Sequence, residues 1–139
     1  MRDDMLSEQT VMSALVTERK MYTALTELLE TTGELSEALS RQDQVSFQLY
    51  LGMRQDTLNQ LAECKAILKK QCADLPEKEG NALRQILSGE APQDGGAQRL
   101  ADQVRRNREL WQKAVLADRL ANQRLGGKKS FYAGKRSHI

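Results

Sequence analysis

Few residues in this 139-residue chain have the types and spacing that covalent or metal chemistry needs. His138 is the only histidine and stands next to the last residue, so there is no HxxxH or ExxH pair to hold a metal from one helix face. Cys64 and Cys72 sit about 12 Å apart along a helix, too far for a disulfide. Neither has a histidine nearby to activate it, and both read as reduced thiols on or beside an apolar face. Glu27, Glu30, Glu34 and Glu37 recur at helical spacing, the pattern of a solvated polar face rather than of an acid–base pair. Gly126-Gly-Lys-Lys-Ser130 looks like the end of a phosphate loop, but it lacks the upstream glycine and the strand that must precede one. The expectation is a protein that is not an enzyme and carries no cofactor or metal.

What remains is chemistry of recognition. Residues 1–96 carry 10 basic and 16 acidic side chains, a balance of −6, whereas residues 97–139 carry 11 basic and 3 acidic, a balance of +8. The overall +2 is therefore a cancellation. Arg99, Arg105, Arg106, Arg108, Lys113, Arg119 and Arg124, with Lys128, Lys129, Lys135 and Arg136, can meet phosphates, and Phe131 and Tyr132 interleave with them. The modest net charge and a pI of 8.6 argue against a dedicated nucleic-acid binder. No run of residues is long and apolar enough to cross a bilayer, and the acidic N-terminus does not resemble a signal peptide, so the expected location is the cytoplasm.

These residues must be positioned by helices. Leu, Ala, Glu, Gln, Lys and Arg dominate the composition, aromatic residues make up only 4%, and there are 9 glycines and 2 prolines. From Met5 to about Leu39 the apolar residues Met21, Leu25, Leu28, Leu35 and Leu39 step by three, four or seven, with Val11 and Leu15 extending the stripe. Ser40-Arg-Gln-Asp43 breaks the pattern, and Asp43 is placed to cap a second helix, Gln44 to Asp74. That helix aligns Phe47, Leu51, Leu58, Leu61, Leu68, Cys72 and Leu75. So short a turn folds the two into an antiparallel hairpin about 45 Å long. Gly33 and Gly52 lie at similar distances from the turn and are expected to face each other and let the backbones approach.

Pro76 opens a short helix to Leu87 that buries Leu83, Ile86 and Leu87. The segment 88–96 is rich in glycine and reads as a loop. A third long helix spans Ala97 to Leu125, and Gly126-Gly127 stops it ahead of a basic aromatic tail, 126–139. The fold class is all-α: a helical hairpin with a third amphipathic helix, like a three-helix bundle or coiled coil. Trp111 lies mid-way along this last helix, which has more apolar surface than the end of a hairpin needs. Helix-in-groove recognition uses such an element, with Leu100, Val104, Trp111, Val115 and Leu116 as contacts. The other outcome is that the helix folds back and Trp111 becomes an ordinary core anchor; both hold if it covers the hairpin until a partner arrives. A coiled-coil adaptor that dimerises through the first two helices is the second functional reading, and a nucleic-acid binder the third.

Three segments together carry a family resemblance. They are Glu18-Arg-Lys-Met-Tyr-Thr-Ala-Leu-Thr-Glu-Leu-Leu29 with Leu35-Ser-Glu-Ala-Leu-Ser-Arg-Gln-Asp43, the closing-helix runs Arg105-Arg-Asn-Arg-Glu-Leu-Trp111 and Leu120-Ala-Asn-Gln123, and the final Ser130-Phe-Tyr-Ala-Gly134. Over most of its length the chain resembles the FlgN-type flagellar export chaperones. The aspartate that usually follows the tail tyrosine in that family is Ala133 here. The resemblance implies a cytoplasmic chaperone that binds the C-terminal helices of hook-filament junction (hook-associated) proteins and hands them to the export gate. It implies that the third helix holds the cargo and that the tail, Phe131, Tyr132 and Gly134, contributes a contact, Tyr132 to the gate.

Overall fold

The computed structural model describes residues 6–93 and 95–124. They form four α-helices: α1 Glu8–Ser40, α2 Gln44–Asp74, α3 Glu77–Leu87 and α4 Gln98–Arg124, with one 3-10 turn at Gly95–Ala97. Among the described residues there is no strand. The all-α hairpin with a further long helix is as the sequence predicts, and the bounds of α2 coincide with the expected ones. The last helix is docked. α1 is the central element, with α2 packed along one side of it and α4 along another, while the backbones of α2 and α4 hardly meet.

The helix ends are built from local hydrogen bonds. Ser7 caps α1 by accepting from the Thr10 amide, and Asp43 caps α2 by accepting from the Ser46 amide at 3.0 Å. The α1–α2 turn also closes α1 from the other side. Asp43 N–H donates to the Ala38 carbonyl and Gln42 N–H to that of Leu39, a Schellman arrangement that puts Gln42 at φ 58°. A glycine takes the same role after α3, where Gly89 has φ 105° and the Arg108 side chain lies against it. Pro76 stands one position before the first turn of α3 rather than within it.

Two apolar clusters make the core. At the base, where all four helices meet, Leu6, Val11, Ala14, Leu15, Leu68, Cys72, Leu83, Ile86, Ala97, Leu100, Ala101 and Val104 pack together. Towards the hairpin tip, Ala24, Leu25, Leu28, Leu61 and Ala114 form a thinner cluster, with Trp111 and Leu58 at its edge. Gly80 is required by close packing: a Cβ there would stand 2.6 Å from the Cys72 carbonyl oxygen, so α3 can leave the end of α2 at this distance only with glycine. The expected facing of Gly33 and Gly52 does not occur. A Cβ on either meets nothing within 4 Å, because both glycines lie on exposed outer faces of the hairpin.

Candidate functional site

The stripe that α4 turns inward differs from the one that its leucines suggest. Leu100 and Val104 are fully buried in the basal cluster, so the docked helix uses them as core residues. Beyond them the inward positions are Asn107, Ala114, Asp118 and Ala121, all buried. Leu116 and Leu120, in contrast, are about half exposed, on the outer side of α4, and Val115 is partly covered. Trp111 sits between the two sets. Phe131, Tyr132 and Gly134 lie outside the described residues.

Two buried polar pairs fix α4 to the hairpin. Asn107 donates from Nδ2 to Glu18 Oε1 at 2.6 Å and to the Glu18 backbone oxygen at 2.7 Å. Arg54 donates from Nε and Nη2 to the two carboxylate oxygens of Asp118, at 3.0 and 2.8 Å, a bidentate pair joining α2 to α4. Burial pushes the Glu18 carboxyl above its ordinary value, and the Asn107 hydrogen bond offsets part of the rise. Burial likewise raises Asp118 against the opposing pull of the Arg54 guanidinium. Sequence reasoning placed neither pair, because their members stand where an apolar residue would continue the stripe. The signal was available: Arg54 falls on the buried face of α2, between Leu51 and Leu61 at helical spacing, and Asp118 lies seven residues beyond Trp111 on α4.

Because the backbones of α2 and α4 stand apart above α1, a cleft of about 480 Å³ remains between them. Its floor is Glu18, Met21 and Leu25 of α1; Leu61, Lys65 and Leu68 form one wall, and Val104, Asn107, Arg108, Trp111 and Gln112 the other. The Lys65 ammonium rests over the Trp111 ring, 4.8 Å from its centroid, and spans the opening. A shallower groove runs between α1 and α4 near the tip, lined by Leu29, Gly33, Ala117 and Leu120. The outer α1–α2 surface is acidic, with Glu27, Glu30, Glu34 and Asp56 around Tyr50.

Comparison with protein families, curated proteins and solved structures finds no match to this chain. The described residues contain no cluster of metal-ligating side chains, and none of their helices is long and apolar enough to cross a membrane. Cys64 and Cys72 are buried, unbridged and pushed up by that burial, a state in which a thiol is a poor nucleophile. The cleft offers Met21 and Leu25 beside the Asn107-bound Glu18 on its floor, one aromatic wall and cations on its walls, which suits a side chain presented by another helix.

Proposed function

We propose that the protein is a cytoplasmic, non-enzymatic chaperone of the FlgN type, which holds amphipathic C-terminal helices of flagellar hook-associated proteins and delivers them to the export apparatus. The observation that carries this reading is the cleft above α1, with Trp111 on its α4 wall, Leu61 and Leu68 on its α2 wall and Met21 and Leu25 beneath. An amphipathic helix lying between α2 and α4 would place one apolar anchor in that cleft and rest a second on the half-exposed Leu116. The resemblance of the Glu18–Leu29, Arg105–Trp111 and Ser130–Gly134 segments supplies the class of client.

Calorimetry of the full chain with C-terminal segments of hook-associated proteins tests the proposal. Binding is expected, and Trp111→Ala should weaken it at least about tenfold, as truncation of a central aromatic anchor does. No heat at tens of micromolar would overturn it. The exposed row Val45, Leu49 and Met53 on the outside of α2 favours a second reading, an adaptor that self-associates through the hairpin. A mass that doubles with concentration in light scattering, with the doubling lost on Leu49→Glu, would select that reading.

A further inference from the structure

The walls of the cleft are charged in one sense only. Lys65 on α2 and Arg108 on α4 line opposite walls, Lys65 reaching over Trp111 and Arg108 running along Gly89, and among the described residues neither has an ion-pair partner. The positions one turn from Lys65 are Leu61, Ala62, Leu68 and Lys69, and those one turn from Arg108 are Val104, Arg105, Trp111 and Gln112, none of them acidic. The one carboxylate in the cleft, Glu18, lies on the floor and is tied to Asn107. The acids of these two helices, Asp56, Glu63 and Asp74 on α2 and Asp102 and Glu109 on α4, fall on other faces by the 3.6-residue period. Lys65 rests on the indole for want of a carboxylate, and in doing so it covers the ring that would receive an apolar anchor.

We propose that the cleft selects an acidic amphipathic helix, whose apolar anchor enters over Met21, Leu25 and Trp111 while carboxylates on either side of it pair with Lys65 and Arg108. Lys65 leaves the Trp111 ring to make its pair, so charge recognition and uncovering of the anchor site are one movement. This selectivity rests on the helix-binding reading above and adds to it the charge of the partner. Charged walls on both sides of Met21 and Leu25, with the floor carboxylate of Glu18 held by Asn107, reward a partner that is apolar at one position and acidic one turn to either side.

Trp111 is the only tryptophan and reports directly on the movement. Its fluorescence in the full chain can be titrated with two synthetic amphipathic helices that share a leucine anchor and differ in carrying Glu or Gln one turn to either side. A short DNA duplex provides a third titrant. The Glu peptide is expected to bind about tenfold more tightly than the Gln peptide at low salt, with the gap narrowing as salt screens the exposed pairs. Lys65 is exposed, so Lys65→Met should fold normally. It should shrink the Glu/Gln gap to about threefold; because it also removes the ammonium from the Trp111 ring, the ratio of the two affinities is the readout. Equal binding of the two peptides by the unaltered protein would overturn the charge selectivity alone and leave the helix-binding reading standing. Failure of both peptides to bind would overturn both. Binding of the duplex alone, falling steeply with salt, would replace them with phosphate recognition.

Discussion

The two ends of α4 are held to the same central helix by different means. At the base, Leu100, Ala101 and Val104 join a twelve-residue apolar cluster with α1, α2 and α3. Towards the tip, the buried residues of α4 after Asn107 are Ala114, Asp118 and Ala121, and Asp118 forms the bidentate pair with Arg54. Apolar burial is non-directional and tolerates small shifts, whereas a bidentate pair in a dry site demands one geometry. The base therefore supplies most of the stability, and the tip sets the register of α4 on the hairpin. The cleft lies between them, at the point where small side chains and polar pairs replace leucine. Hydrogen exchange should show this directly, with amides of 114–124 opening more readily than those of 99–107.

The largest effect is expected from breaking the pair on one side. Asp118→Ala leaves Arg54 buried without its carboxylate and should cost about 3–5 kcal/mol in chemical denaturation. If the pair sets register rather than stability, Arg54→Leu with Asp118→Leu should recover most of that loss, since apolar replacement of a buried pair is often close to neutral. The double variant should still show altered anchoring of Trp111, seen in its fluorescence. Full recovery with an unchanged tryptophan signal would break the distinction between the two ends.

At the base, Leu100→Ala removes a fully buried side chain from the larger cluster and should cost about 2–5 kcal/mol. No second substitution within α4 is expected to rescue it, because most of the cluster's side chains come from α1, α2 and α3. A cost under about 1 kcal/mol would mean that the site collapses easily and that the base is not the stable end.

Legibility in the sequence followed the same divide. Where apolar residues at steps of three, four and seven do the packing, as in Leu25, Leu28, Leu61 and Leu68, the helices and their buried faces could be read directly. Asp43 was legible as a cap because its chemistry is local. Arg54, Asn107 and Asp118 were not, since a polar residue on an inward face reads as a gap in the stripe until its partner in another helix is known. Leu116 and Leu120 show the converse. They are leucines on an outward face, where alanines at 114 and 121 let α4 pack closely on α1 instead. Gly80 marks a contact between consecutive helices, and no periodicity signals that. The cleft itself is a property of the spacing between α2 and α4, which no single helix encodes.

A smaller effect comes from the other polar pair. Glu18→Gln keeps an oxygen for the Asn107 amide and removes the charge that burial disfavours. It should stabilise the fold at neutral pH by about 1 kcal/mol. The sign with pH follows from the raised carboxyl. The folded state holds this proton at pH values where the unfolded chain has released it, so the group's contribution to stability falls as pH rises through that window. The advantage of Glu18→Gln should therefore be greatest above the raised value and vanish as pH falls below 4.5, the ordinary value for the free side chain. Asp118 titrates in the same direction but is common to both proteins and cancels in the difference.

The least effect is expected at the α1–α2 turn, far from both ends of the comparison. Gln42 holds a left-handed conformation at φ 58°, which costs a residue with a Cβ about 1–2 kcal/mol. Gln42→Gly relieves that strain but gives the unfolded chain more freedom, so the net gain should be about 0.5 kcal/mol. The Asp43 cap and the two closing hydrogen bonds use backbone groups or the Asp43 side chain, and none uses the Gln42 side chain. Thermal unfolding should therefore move up by a degree or two without altering exchange in α4. A change in the protection of 114–124 on this substitution would show that the turn and the Arg54–Asp118 pair are coupled through the upper part of α2, and that the tip is a single cooperative unit instead of a register pin attached to a stable base.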